Sequence, residues 1–294
     1  MATTRSPEEI EQRRLRRAER REAQRQTNLA RAAKMHDVRV NSTIEPPEPS
    51  TTLAKAVNVG CSGWYYWHWK GRFYPEEAER SEWFSIYQDR FDTVELNAPF
   101  YNWPTVATIR TWLRQAREDF VYTVKVSELI THIKRFDGTA DLIKDFGFIA
   151  DTLGPRMGCL LFQLPPSAKF DPVLLDTILG QLEPRHRNVV EFRHKSWWND
   201  EVFAAFESAG AIFCSTSGPR LPDQLVKTAD DIYIRFHGVE QWYRHDYSQR
   251  ELQAWAERIH QSGAKRVWAY FNNDRNAYAI KNAKMLDGIL TGSS

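Results

Sequence analysis

Charged and polar residues recur two apart inside β-rich runs of this chain: Glu95 and Asn97, Thr123 and Lys125, Glu191 and Arg193, Arg235 and His237. Successive side chains of a strand point to opposite faces, so the members of each pair share a face. Gln163 and Asn272 end two further runs. None of these residue types belongs unpaired in an apolar core. Three cations, Lys125, Arg193 and Arg235, would face two carboxylates, Glu95 and Glu191, while His237 adds a group that changes charge near neutral pH. The chemistry this set supports is proton transfer on a small anionic or oxygen-rich molecule. Glu191 or His237 would move the proton. Lys125 would stabilise an enolate or oxyanion, or form a Schiff base. Arg193 and Arg235 would clamp a phosphate or carboxylate through paired N–H groups. The competing reading is an architectural network in which these ions pair only with one another. A buried ionic network seldom improves stability over apolar packing, which argues against that reading.

Aromatic residues cluster beside the same runs. Trp64, Tyr65, Tyr66, Trp67 and Trp69 follow the first run, Phe100, Tyr101 and Trp103 the second, Trp197 and Trp198 the fifth, Trp242 and Tyr243 the seventh. At least half are expected to pack loops together. Trp64 and Tyr101, nearest the strand ends, are expected at a ligand. Glu95, Glu191 and His237 could hold a divalent ion, but there is no H-E-x-x-H and no second inward His, so no metal and no cofactor are expected. His132 could enter from the loop after the third run, and His194 is expected to cap a loop. Asp145-Phe-Gly147 copies a kinase triplet without the rest of that set and reads as helix. No G-x-S-x-G is present.

The elements that must position these residues alternate. The β-rich runs are 57–61, 93–97, 120–126, 157–164, 188–193, 211–214, 231–237 and 266–272, with helical periodicity near 81–91, 105–117, 139–153, 172–183, 200–209, 248–261 and 278–290. Residues 215–230 are irregular, with a short helical stretch at most. Asp171-Pro172, Asn199 and the capping box Ser248–Glu251 mark helix starts. Eight strands alternating with helices predict an α/β fold, a single (β/α)8 TIM-type barrel. No G-x-G-x-x-G follows the first run, which removes the usual dinucleotide reason for an open doubly wound sheet.

Seven segments carry a family likeness: Gly60-Cys-Ser-Gly-Trp64, Thr93-Val-Glu-Leu-Asn-Ala-Pro-Phe-Tyr101 with Pro104, Ile130-Thr-His-Ile-Lys134, Leu161-Phe-Gln-Leu-Pro-Pro166, Glu191-Phe-Arg-His194 with Ser196-Trp197, Tyr233-Ile-Arg-Phe-His-Gly238 and Phe271-Asn-Asn-Asp274. In this order they resemble the YecE-like family of domains of unknown function, from about Val57 to Leu290. The resemblance implies a TIM barrel and brings no established reaction. The chain departs from the pattern at Thr216, where an Asp is common, and at Ala277 and Ile280, where Gly and Pro are usual.

The chain has 294 residues, 42% hydrophobic and 27% charged, enough to bury a sizeable core. Mean hydropathy is −0.58, and no run of eighteen apolar residues offers a membrane span. The start does not read as a secretory signal. Cys61, Cys159 and Cys214 are far apart and form no C-x-x-C, so reduced thiols and a cytoplasmic location are expected. Residues 1–40 hold eleven Lys and Arg against six Asp and Glu; the remainder holds 29 against 32, so the basic character belongs to the N-terminus. Residues 7–34 are rich in helix formers, but their large apolar residues do not recur on one face, so a solvated arm that joins no core is expected. Glu45-Pro-Pro-Glu-Pro-Ser50 reads as a stiff linker. This gives an extension and linker over 1–52 and a barrel domain over 53–294.

The functional expectation is an intracellular enzyme, a hydrolase or a lyase or isomerase, using acid–base chemistry on a small anionic, phosphorylated or hydroxylated metabolite in the barrel mouth. Glu191, Lys125, Glu95 and His237 form the catalytic set. Arg193, Arg235, Asn97, Tyr101, Trp64, Gln163 and Asn272 form the binding set. A nucleic-acid protein whose basic arm holds the backbone is the alternative. A non-catalytic metabolite-binding barrel is the third reading. No membrane partner is expected.

Overall fold

The computed structural model of the protein describes residues 6–44 and 52–292. The expected linker Glu45–Ser50 lies outside them. Eight strands form one sheet: β1 Val57–Cys61, β2 Thr93–Leu96, β3 Val121–Lys125, β4 Met157–Gln163, β5 Asn188–Glu191, β6 Ile212–Ser217, β7 Asp231–Phe236 and β8 Arg266–Phe271. Every ladder is parallel, and the order is β1-β8-β7-β6-β5-β4-β3-β2. The helices are α1 Pro7–Val40, α2 Trp83–Gln88, α3 Ala98–Tyr101, α4 Val106–Gln115, α5 Ala140–Leu153, α6 Pro172–Gln181, α7 Asp200–Ala209, α8 Gln249–Gln261 and α9 Tyr278–Thr291. This is the expected (β/α)8 barrel, nearly closed. The three marked helix starts are as read: Asp171 accepts the Val173 and Leu174 amides, Asn199 accepts Val202, and Ser248 forms its capping box with Glu251. The stretch after β6 is bends and turns without a helix.

β1 and β2 meet at the seam, bridged by a side chain. The Tyr87 hydroxyl accepts the Cys61 amide (2.9 Å) and donates to the Thr93 carbonyl (3.0 Å). The approach requires glycine at position 60, because a Cβ there would stand 2.5 Å from the Thr93 carbonyl oxygen.

Two apolar layers hold the barrel. The wall packs outward on the helices through residues such as Val124, Phe162, Val190, Ile234 and Ala269. The lower interior is filled by Val121, Cys159, Leu161, Val189, Ile212, Cys214, Tyr233, Trp268 and Tyr270. Further along each strand, toward its C-terminal end, the inward positions turn polar.

The N-terminal segment departs from expectation. It is one long helix, started by a capping box at Ser6 and Glu9, and its C-terminal half docks. Ala32 and Met35 are buried in the main core, and the Asn28 side chain, 1% exposed, bridges the loop after β2. Its amide donates to the Tyr101 carbonyl (2.9 Å) and accepts the Trp103 amide (3.0 Å). His36 and Arg39 reach the buried Asp145 of α5 at 3.1 and 2.8 Å. Positions 28, 32, 35 and 39 form a helical stripe, but of Asn, Ala, Met and Arg, so a search for large apolar residues overlooks it. Asp145-Phe-Gly147 is helix, as read, and its Asp anchors α1. No helix among the described residues is long and apolar enough to cross a membrane.

Candidate active site

Arg235 is the centre of the polar layer. Its inward position follows from β7 alternation, two residues beyond Tyr233 and two before His237. The side chain is 1% exposed. Its Nη2 donates to Glu95 Oε1 and its Nη1 to Glu191 Oε2, both at 2.5 Å. Glu95, from β2, also accepts from the Tyr233 hydroxyl (2.6 Å) and the Ser62 hydroxyl (2.7 Å). Glu191, from β5, pairs with Arg193 Nε at 2.5 Å and lies 3.3 Å from His237 Nε2. Asn97 donates to the Ser62 carbonyl at 3.2 Å, which ties β2 to the end of β1.

The electrostatics follow from this packing. Burial opposes the charge on Glu191, but Arg193 and Arg235 override it and hold the carboxyl well below the usual range. Burial first, then the same two guanidiniums, push the His237 imidazole well below its usual range, so it is neutral. Guanidinium nitrogens only donate, so His237 Nε2 accepts from Arg193 Nη2 (3.0 Å). Its Nδ1 lies 3.3 Å from the Asn272 side-chain nitrogen. Lys125, at the end of β3, donates to Gln163 Oε1 (2.6 Å) and lies 3.9 Å from the Phe100 ring centroid. Burial, reinforced by Arg235, pulls its ammonium down to about 7, against the opposing pull of Glu191 and Glu95.

The mouth opens beside Arg193. A cleft of about 810 Å³ is lined by Arg193, His194, Lys195, Arg220, Trp242 and Tyr243, with Pro166, Pro219 and Leu221. These residues come from the loops after β4, β5, β6 and β7. The loop after β7 folds back because Gly238 takes φ +109°, and a Cβ there would meet the Gln241 carbonyl oxygen at 2.6 Å. That turn brings Trp242 over the Arg193 guanidinium at 4.5 Å.

The structure brings Glu95, Glu191, Arg193, Arg235, His237, Asn97 and Asn272 into one network, with Lys125 and Gln163 bonded to each other at the same end. Trp64 packs on Phe84 of α2 with ring centroids 4.8 Å apart and is not among the residues lining the Arg193 cleft. Tyr101 is 55% exposed and lines a separate cleft beside α1. His194 accepts the Ser196 amide (3.2 Å), the capping role read for it. His132 lies edge-on to Phe100 (5.0 Å), and burial together with Lys125 lowers it to about 4. Among the described residues no group of three or more His, Cys, Asp or Glu is placed to hold a metal ion. Both carboxylates of the expected set are engaged by arginine.

Ser62, Tyr233, Phe100 and Trp242 belong to the site but not to the residues singled out for it. Tyr233 was findable, since it shares the inward face of Arg235. Ser62 acts from a loop and Phe100 from the single turn of α3, too short for periodicity to fix its direction.

Comparison with known proteins agrees with this architecture. Residues 58–293 match the family described as "Protein of unknown function DUF72". The chain is 23% identical over 268 residues to the UPF0759 protein YunF of Bacillus subtilis, covering 78% of this chain and 93% of that one. It is 26% identical over 204 residues to the UPF0759 protein YecE of Escherichia coli, covering 60% of this chain and 73% of that one. A crystal structure of a DUF72 family protein from Thermotoga maritima superposes with a TM-score of 0.73 at 27% identity, over 81% of this chain and all (100%) of that one. One from Enterococcus faecalis, 16% identical, shares the fold with a TM-score of 0.69, over 80% of this chain and 95% of that one. With the barrel, the ordered motifs and a match spanning most of its length, this chain belongs to the DUF72 family.

Proposed function

We propose that the barrel mouth binds a small anionic, oxygen-rich metabolite and that Lys125 carries base chemistry on it. The observation that carries this reading is the lining of the mouth: Arg193, Lys195 and Arg220 converge on the cleft, and no carboxylate lines it. A phosphate or carboxylate there would meet cations and two aromatic faces. The buried network supports the reading by dividing the labour. Arg235 has both terminal nitrogens committed, so it holds the carboxylates and does not reach for a ligand. Glu191, kept ionised, fixes Arg193 and is a weak base. Lys125 does not itself line the cleft; it is buried at the same end of the barrel, bonded to Gln163, and is half neutral near pH 7, which suits a general base for a ligand that reaches past the lining. Its amine would take a proton from the carbon beside a carbonyl as the C–H pair shifts to the oxygen, leaving an ammonium and an enolate. Proton abstraction of the lyase or isomerase kind fits this better than hydrolysis.

The test combines thermal shift against a panel of hydroxy acids and sugar phosphates with deuterium wash-in from heavy water. A ligand should raise Tm and exchange its α-hydrogen. Lys125→Met should abolish exchange and keep binding, and Arg193→Ala should weaken binding about tenfold or more. Exchange that survives Lys125→Met would remove the base assignment; indifference to every anion would remove the site.

A further inference from the structure

The cleft beside α1 is distinct from the Arg193 cleft and has its own chemistry. It measures about 770 Å³ and runs between α1 and the loops after β2 and β3. Its wall on α1 is set by helical geometry. Positions 20, 21, 24, 25 and 28 share one side of a 3.6-residue helix, and Asn28 pins that side to the barrel. Gln24 adds a second tie, donating to the Asn102 side chain at 2.9 Å. Arg20, Arg21 and Arg25 are thereby held over the cleft. Arg135 faces them from the loop after β3, donating to Ser167 at 3.2 Å, with its backbone in the left-handed region at φ +49°. Four guanidiniums meet one lining carboxylate, Glu128. Arg20, Arg21 and Arg135 have no carboxylate partner among the described residues, and Arg25 has only the exposed Glu22 at 3.5 Å.

Two features turn a cationic cleft into a more particular one. Tyr101 presents an aromatic ring that is 55% exposed and braced edge-on by Phe100 at 4.8 Å. His132, neutral at physiological pH, has Nδ1 bonded to the Thr131 hydroxyl at 2.9 Å, which leaves Nε2 for a ligand. Phosphate oxygens suit the forked guanidiniums, and a flat heterocycle suits the open Tyr101 face. We propose that the cleft between α1 and the loops after β2 and β3 binds a nucleoside phosphate, its phosphates among Arg20, Arg21, Arg25 and Arg135 and its base on Tyr101. The α1 wall lies outside residues 58–293, which carry the family match.

The ligand could be a free nucleotide or one unit of a single strand, and the experiment separates them. Binding of ADP, inorganic pyrophosphate and an eight-nucleotide single strand of thymidines would be measured on the full chain by titration at two salt concentrations. ADP should bind, Arg21→Ala/Arg25→Ala should weaken it about tenfold or more, and Tyr101→Ala should weaken ADP while sparing pyrophosphate. A strand that binds more tightly than ADP, with steep loss in salt, identifies nucleic acid; equal or weaker binding identifies free nucleotide. Arg13→Ala/Arg14→Ala removes the same charge from α1 outside the cleft and should change nothing. Equal loss in that control, or no binding of any of the three probes, would overturn the proposal. Arg193→Ala should leave ADP binding intact, so this site and the barrel-mouth site fail independently.

Discussion

Arg235 shows why single residues in this barrel do not act alone. Two carboxylates, a tyrosine hydroxyl and a serine hydroxyl converge on one buried guanidinium and its partners, and every charge has a counter-charge within hydrogen-bonding reach. Removing one member therefore costs more than the net worth of the pair. Arg235→Leu should destabilise the fold by about 3–5 kcal/mol, because it strands Glu95 without a counter-charge in a closed interior and leaves Glu191 with Arg193 alone. The triple variant Glu95→Gln, Arg235→Leu, Glu191→Gln should recover much of that loss. Denaturant melts of both variants check this, and a triple variant no more stable than the single would show that packing, not charge, is at stake. Arg235 is on this account a positioning residue, and Arg193, at the cleft, is the one that can meet a ligand.

Elements meet through polar stitches as much as through apolar faces. The β1–β2 seam rests on the Tyr87 hydroxyl, and α1 rests on Asn28. Tyr87→Phe keeps the ring and deletes the bridge, leaving a buried amide and carbonyl short of a partner at a cost of about 1–3 kcal/mol. Hydrogen exchange should then show faster opening at Cys61, while amides on the far side of the barrel, in β5 and β6, keep their protection. Unchanged exchange at Cys61 would mean that the seam closes by another route. The same logic explains why the docking of α1 is not legible in the sequence. Its docking stripe is polar, and a polar stripe looks like a solvated face until its partners, the Tyr101 and Trp103 backbone and Asp145, are in place.

The whole molecule carries a pH signature. Glu191 titrates lower when folded than the ordinary carboxyl value of 4.5, so its contribution to stability is complete above that value and is lost as pH falls toward the folded value. His237 acts in the same direction: it is neutral when folded, while the unfolded chain takes up a proton below about 6.5. Lys125 acts at the other end. Folded at about 7 against an ordinary 10.5, it opposes folding fully below pH 7, and that opposition fades as pH rises between those values. Stability should therefore fall steeply below pH 5, and Lys125→Met should gain most at pH 6 and least at pH 10. Tm measured from pH 4 to 10 on both proteins checks the sign, and a gain that grows with pH would contradict the buried-amine reading.

Sequence by itself determined the barrel and most of its polar floor. The order of strands and helices follows from short-range periodicity and capping, and the inward set follows from strict alternation along each strand, so Glu95, Lys125, Glu191, Arg235 and His237 were legible together. Tertiary structure decided what alternation cannot carry: which cation faces which carboxylate, which arginine is spent inside and which lines the mouth, and where aromatics beyond the strand ends, such as Trp64 and Tyr101, come to rest. It also decided that α1 is a wall and not a tail. Periodicity reports which side of an element is special, whereas pairing depends on partners brought near by chain closure, and in the Arg235–Glu95 pair those partners lie 140 residues apart along the chain.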